Sequence, residues 1–217
     1  IEEAHSQGMP FKMFAACHFV ENQISDEMKE RFILEPNRDN FDYVYYREEL
    51  ATLKGKKFQQ KRNHVNRFMN TYPNWEYKST TPELIKLCIE KENEWYNSND
   101  DYKHQDIDNE RQALLYAMNH AEEIGIKGGV LFVDGNIVAF TFGFPINHKT
   151  FGIHFEKADI NYTGAFTVIN QMFARDIPAE FEYINREEDL GIEGLRKAKT
   201  SYNPAFLITK GLITLKP

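Results

Sequence analysis

Apolar and polar positions along this chain follow two periods, and the switches between them mark out its elements. After Gly8-Met9-Pro10, the run 11–17 predicts a buried strand, and Ser25 caps a helix running to about Phe32. Asp42-Tyr43-Val44-Tyr45-Tyr46 has strand character. From Arg47 the spacing turns helical, breaks near Gly55 and ends before Pro73. Trp75 opens a short strand over 75–78. In Thr80-Thr81-Pro82-Glu83, Thr80 and Glu83 stand at capping-box spacing with proline in the first turn, which predicts a helix start. Leu84, Leu87, Cys88 and Trp95 then share one face. Beyond the polar segment 97–105, Leu114, Ala117, Met118, Ala121 and Ile124 form the stripe of a second helix. Strands follow at 129–133, 137–144 and 151–156, the first two joined by the tight turn Asp134-Gly135-Asn136. A helix at about 164–177, a strand at 181–185, a helix at 192–201 and a strand at 205–209 complete the pattern.

This order predicts an α/β fold with a mixed (α+β) sheet. From Trp75 onward it reads β-α-α-β-β-β-α-β-α-β, which resembles a complete GNAT-type acyltransferase domain. Residues 1–72 read as the back half of another α/β unit. The expectation is therefore tandem GNAT-like units, 1–72 and 73–217, the first incomplete. The opening Ile1-Glu2-Glu3-Ala4-His5 looks like the tail of a helix whose front lies upstream.

At 217 residues, 41% apolar and 27% charged, the chain has the composition of a globular protein able to bury a sizeable core. A net charge of −7 argues against general coating of nucleic acid and leaves room for a local basic patch. The two cysteines, Cys17 and Cys88, stand far apart in apolar surroundings, which fits a reducing, cytoplasmic setting. No apolar run is long enough to span a bilayer, and no signal-peptide pattern is present.

The most site-like stretch is 184–202. An apolar strand empties into the charged loop Asn185-Arg186-Glu187-Glu188-Asp189-Leu190-Gly191, and a short basic helix follows. Free backbone N–H groups and the helix dipole favour an anion at such a junction. Lys199 lies on the apolar stripe of that helix between Leu195 and Tyr202, with Arg196 beside it. A cation so placed snorkels, pairs with a carboxylate such as Asp189 or Glu156, or holds an anionic ligand. Tyr202 and Ser201 are hydroxyl donors by position.

On the strand 151–156, strict alternation puts Phe151, Ile153 and Phe155 on one face and Gly152, His154 and Glu156 on the other. His154 and Glu156 then form either an acid–base pair or an ordinary polar patch. The densest basic segment is 54–67, with Lys54, Lys57, Lys61 and Arg62 among its six Lys and Arg residues. It is a solvated helix face or a phosphate-binding patch. The loop with Asp100, Asp101, Tyr102, Lys103 and His104 is surface or a substrate lid. His148, His154, Glu156 and Asp159 show no metal-ligand spacing. No Walker A loop, dinucleotide fingerprint or GxSxG elbow occurs.

Three motifs carry a family resemblance: Asp42-Tyr43-Val44-Tyr45; the run from Leu53-Lys54-Gly55-Lys56 to Lys61-Arg62-Asn63; and Asn185-Arg186-Glu187-Glu188-Asp189-Leu190-Gly191 leading to Leu195-Arg196-Lys197-Ala198-Lys199-Thr200-Ser201-Tyr202. Together they resemble the uncharacterised bacterial branch of the phosphatidylglycerol lysyltransferase C-terminal-domain family. That resemblance implies transfer of an aminoacyl group from aminoacyl-tRNA to an amine or hydroxyl, a lipid head group included, with peripheral lipid contact. GNAT enzymes also hold the pyrophosphate of acyl-CoA on a glycine-rich turn. Here Asn161-Tyr162-Thr163-Gly164-Ala165-Phe166 keeps only Gly164, and Phe166 replaces a small residue. The reading is an N-acyl- or aminoacyltransferase in which segment 54–62, Arg196 and Lys199 hold the donor and Glu156, or else His154, is the base. Its rival is a non-catalytic module that binds RNA or an anionic metabolite.

Overall fold

The computed structural model describes residues 6, 8, 10–16, 22, 23, 25–98 and 105–216. Cys17 and the loop segment Asp100-Asp101-Tyr102-Lys103-His104 lie outside them. The elements are β1 (Lys12–Ala16), α1 (Asp26–Glu30), β2 (Phe32–Pro36), β3 (Asp42–Tyr46), α2 (Arg47–Thr52), α3 (Gln59–Thr71), β4 (Trp75–Ser79), α4 (Pro82–Ser98), α5 (Gln105–Asn119), β5 (Lys127–Val133), β6 (Asn136–Asn147), β7 (Thr150–Ala158), α6 (Ala165–Asp176), β8 (Tyr183–Asn185), α7 (Glu193–Thr200), β9 (Phe206–Ile208) and β10 (Lys210–Leu215). The fold is mixed α/β. Its contacts divide it into one unit of residues 1–45 and 185–217 and a second of residues 46–184. The sequence-based boundary at 72/73 falls inside the second unit.

In the second unit β4, β5, β6 and β7 form an antiparallel meander. Asp134 and Gly135 both take positive φ (49° and 79°), as the tight β5–β6 hairpin requires. One face of the meander carries α4 and α5 over a cluster of Cys88, Leu114, Met118, Val130, Phe140 and Phe142. Helix α6 covers the other face, where Phe151 meets Phe173 and Phe181 edge-on. Helices α2 and α3 pack on α6. Arg175 Nε donates to the Ala51 carbonyl (2.8 Å), and Gly164, just before α6, lies against Phe68 and the His64 carbonyl. These contacts place the basic helical segment with residues 73–184. Helix α4 is capped by Thr81 rather than Thr80, its Oγ1 accepting the Leu84 N–H (3.3 Å). Leu87 and Ile124 stand exposed at the edges of their stripes.

In the first unit β10 lies between β1 and β2, antiparallel to both, and β3 pairs antiparallel with β9. The expected helix 25–32 stops at Glu30, because Phe32 opens β2. The run expected as a buried strand is an edge strand, and Phe14 is 54% exposed.

Candidate functional site

The loop 185–192 of the first unit turns on three residues with positive φ: Glu187 (57°), Leu190 (53°) and Gly191 (73°). Such angles persist in non-glycine residues only where the surroundings over-determine them. Here the surroundings do. Asn185 Oδ1 accepts the Glu187 N–H (2.7 Å), and its Nδ2 donates to Asp42 (3.0 Å). Lys210 bridges Asp42 (2.7 Å) and Glu188 (2.8 Å).

Asp189 is the hub of this loop. Its carboxylate is fully buried and receives Arg196 Nε and Nη2 (2.8 and 2.7 Å), the Tyr43 hydroxyl (2.6 Å), the Gly191 N–H (3.0 Å) and Arg38 Nη1 (3.3 Å). The bonds from Arg196, helped by Tyr43 and Gly191, hold its pKa well below the usual carboxylate range. The bonds to Asp189, and then to Asp39 (2.6 Å), raise that of Arg196.

Lys199 is held by the backbone of the loop. Its ammonium is buried and donates to the carbonyls of Arg186 (2.6 Å) and Glu188, so it fastens the loop from within. The carboxylate partner belongs to Arg196 instead. Tyr202 is buried edge-on to Tyr45, and the Arg186 guanidinium lies over both rings (5.9 Å from Tyr45 and 5.1 Å from Tyr202). Ser201 closes α7, with its N–H on the Lys197 carbonyl and its hydroxyl on that of Ala198 (2.5 Å).

His154 and Glu156 do not share a face. Pairing runs Phe142↔Phe155 and then Gly143↔Ile153, which leaves His154 as the extra residue of a β-bulge. Beyond it the alternation inverts. His154 stacks on Phe144 (4.0 Å), on the α4–α5 side, whereas Glu156 accepts Asn170 Nδ2 of α6 (3.3 Å) on the opposite side. The acid–base pair expected from alternation is therefore corrected to two separate groups.

In the basic segment, Lys57 is bound to Glu49 (2.7 and 2.8 Å), and Arg62 caps the carbonyls of Leu53 and Gly55 at a left-handed turn. Lys61 is half-buried, and Lys54 and Lys56 are exposed. The Asn161–Phe166 turn fits a pyrophosphate poorly. A Cβ built on Gly164 would come 3.2 Å from Phe68 and 3.3 Å from the His64 carbonyl, so α3 covers the glycine.

Sequence reading passed over Glu92. It sits in α4 four residues after Cys88 and three before Trp95, so helical periodicity already puts it on the apolar stripe. It is 5% exposed, and burial raises its pKa despite the charges of Lys157 and Arg111. It lies in the same unit as Glu156. Lys199, Asp189, Asn185, Arg196, Ser201 and Tyr202 belong to the other.

The family described as "Phosphatidylglycerol lysyltransferase, C-terminal" matches residues 1–211. The chain belongs to this family. Among solved structures, a protein of unknown function from Bacteroides thetaiotaomicron VPI-5482 is 51% identical, with a TM-score of 0.95 over 100% of this chain and 73% of that one. L-PGS from Bacillus licheniformis is 14% identical (TM-score 0.62, 98% of this chain and 70% of that one). The C-terminal domain of a putative lysylphosphatidylglycerol synthetase from Agrobacterium fabrum is 12% identical (TM-score 0.67, 100% and 71%). At these identities the last two share the fold of this lysyltransferase-family chain. A curated relative, the uncharacterized protein MYCGA3080 of Mycoplasmoides gallisepticum, is 25% identical over 79% of the chain, which spans 55% of that relative's length. Among the described residues of this family member, no helix is long and apolar enough to cross a membrane.

Proposed function

We propose that this chain is the transferring part of an aminoacyltransferase that moves an aminoacyl group from a charged tRNA to an amine or hydroxyl, such as that of a lipid head group. The observation that carries this reading is membership of the lysyltransferase family over residues 1–211. Glu156 is the general base: half-buried and oriented by Asn170, it takes the proton of the nucleophile as that group adds to the ester carbonyl, and the proton passes to the ribose oxygen of the tRNA as the ester C–O bond breaks. His154, stacked on Phe144 beyond the bulge, is not its partner. The exposed Lys54, Lys56 and Arg67 are cations of the basic segment open to a phosphate. The loop 185–192, with Arg196 and Lys199, serves as a rigid frame in the other unit. A charged tRNA is favoured over acyl-CoA as donor because α3 covers Gly164.

One observation favours the rival reading, a non-catalytic module for RNA or an anionic metabolite. Lys57, Arg62 and Lys199, three of the cations expected to hold the donor, are bonded internally.

The test incubates the chain with tRNA carrying labelled lysine and with vesicles containing phosphatidylglycerol. Native protein should form labelled lipid. Glu156→Gln should lower the rate at least ~100-fold at unchanged melting temperature, the lower range for a general base. Transfer by Glu156→Gln at the native rate overturns the base assignment. Salt-sensitive tRNA binding without any transfer establishes the binding module.

A further inference from the structure

The turn between β7 and α6 exposes two large apolar side chains that the proposed chemistry does not use. Ile160 is 80% exposed, more than any other large apolar residue among those described, and Phe166 is 45% exposed. The turn is closed by its own hydrogen bonds. The Asp159 carboxylate accepts the Asn161 N–H (2.9 Å) and Nδ2 (2.8 Å), the Tyr162 N–H donates to the Asp159 carbonyl (3.1 Å), and the Ala165 N–H donates to that of Tyr162 (3.0 Å). The Ile160 side chain contributes nothing to these bonds, and standing in water it gains nothing.

Helix α3 lies beside this turn. Tyr162 packs on Tyr72 (5.2 Å between ring centres), Tyr72 packs on Phe68 (4.8 Å), and Gly164 meets Phe68 and the His64 carbonyl. Residues 54–67 carry six Lys and Arg, and no Asp or Glu occurs in 50–75, although the chain as a whole has a net charge of −7. Arg67, next to Phe68, is exposed, as are Lys54 and Lys56. Asp159, the acidic member of the turn, is engaged by Asn161. The exposed apolar pair thus adjoins the basic part of an acidic protein.

The turn also adjoins the proposed base. Phe166 precedes Asn170 by four residues on α6, so the two share a face and lie about 6 Å apart along the helix axis. Asn170 is the residue that orients Glu156. Ile160 follows Glu156 by four residues, a reach of at most about 14 Å. Single exposed apolar side chains are ordinary. What sets these two apart is their place, at one turn, beside exposed cations and within a short reach of Glu156. A nucleic acid would use the cations but find no stacking face on an isoleucine. An anionic bilayer uses both kinds of group, its phosphates meeting Lys and Arg and its head-group boundary taking Ile and Phe.

We propose that the turn 159–166 and the exposed cations beside it dock this chain on an anionic bilayer. Ile160 and Phe166 enter the head-group boundary, Arg67 meets lipid phosphates, and Lys54 and Lys56 add attraction at longer range. This rests on the aminoacyltransferase reading for its purpose, and it names the lipid surface on which the acceptor is met. A bilayer seated at this turn brings its head groups, not its acyl chains, toward Glu156.

The experiment sediments the full chain with vesicles of phosphatidylglycerol and phosphatidylcholine in equal parts, or of phosphatidylcholine alone. Native protein should bind the mixed vesicles and hold the neutral ones at least ~tenfold more weakly. Binding should weaken toward ~1 M salt, where the Debye length falls to about 3 Å. Ile160→Ser and Phe166→Ser should each weaken it at least ~fivefold, and the double variant should abolish it, at unchanged melting temperature. Arg67→Gln should weaken it about fivefold. Ile124→Ser, after α5 and as exposed as Phe166, should change nothing. In a Cys17→Ser background, Ile160→Cys carrying an environment-sensitive dye should shift its emission to the blue on mixed vesicles, and Ile124→Cys should not. Native-like vesicle binding by the double variant overturns the surface, as does no binding by native protein or a dye at position 160 that stays in water. Loss of tRNA binding rather than vesicle binding in the double variant makes the turn a nucleic-acid surface and overturns the proposal as well. Transfer of labelled lysine separates the two readings. Docking through Ile160 and Phe166 without any transfer keeps the surface and removes the activity. Transfer to vesicle lipid at the native rate by the double variant keeps the activity and removes the surface.

Discussion

Replacing Asp189 with asparagine preserves its volume and removes its charge, so the variant isolates what the carboxylate does in the loop 185–192. Five donors converge on it in the native chain: two from Arg196, one each from Arg38 and Tyr43, and the Gly191 N–H. An asparagine has one acceptor oxygen and turns an N–H₂ toward some of these donors, leaving them opposed rather than bonded. Breaking a buried ion pair by removing one partner costs about 3–5 kcal/mol. The lower end applies here, about 3 kcal/mol, because Arg38 and Arg196 are each more than a third exposed and water takes up part of the lost interaction. That is a large fraction of a domain's usual net stability of about 5–15 kcal/mol. The pH dependence has a definite sign. The folded pKa of Asp189 lies below its ordinary value of 3.8, so its stabilisation is fully present above that value. It is lost as pH falls through the folded value. Native and Asp189→Asn proteins should differ by about 3 kcal/mol in urea unfolding at pH 7, and the difference should shrink as pH falls below 3.8 toward the folded value. Hydrogen exchange at the Gly191 amide should quicken in the variant at pH 7 and report the loop directly. A difference under 1 kcal/mol (roughly the value of a surface pair), or one that does not change with pH, would refute the account of Asp189 as the hub.

Three further outcomes follow from the geometry. Lys199→Met keeps the apolar stem and removes two charged donors from the carbonyls of Arg186 and Glu188; urea unfolding should show a loss of about 2–3 kcal/mol. Gly143→Ala would put a Cβ 2.0 Å from the Gly152 carbonyl oxygen, forcing β6 and β7 apart beside the bulge, and should cost about 3 kcal/mol or more in thermal unfolding. The control Gly194→Ala, in α7 with nothing within 4 Å of the new methyl, should stabilise by about 0.5–1 kcal/mol. The Cys88 thiol is fully buried and burial pushes its pKa up to about 12. In a Cys17→Ser background, Ellman's reagent at pH 8 should therefore leave Cys88 unmodified for hours in the native state and label it within minutes in urea.

Which parts of this fold could be read from the chain follows from how local their causes are. The hairpin at Asp134-Gly135 was legible because two adjacent residues must take positive φ, and these residues tolerate it. The strand Asp42–Tyr46 and the break at Gly55 were legible for similar reasons. Strand β10 was not: Lys210-Gly211 interrupts its alternation, and its partners, β1 and β2, lie at the far end of the chain. The bulge at His154 was invisible because nothing in Phe151-Gly152-Ile153-His154-Phe155-Glu156 signals an inserted residue. Only the register against β6 reveals it, and one inserted residue exchanges the faces of everything beyond it.

The charged residues divide along the same line. Helical spacing correctly turned Lys199 inward, and applied to α4 it turns Glu92 inward as well. What spacing cannot supply is the partner. Asp189 is bonded partly by Tyr43 and Arg38, 146 and 151 residues away in sequence, and Lys199 by the carbonyls of Arg186 and Glu188 in a loop where Glu187 and Leu190 adopt left-handed φ. An inward charge is thus a local property, and its role is a non-local one. Asp189 and Lys199 are inward charges bonded to residues of their own unit. Glu92 is an inward charge of another kind: burial raises its pKa despite the charges of Lys157 and Arg111, so its surroundings oppose the ionised form that those of Asp189 secure.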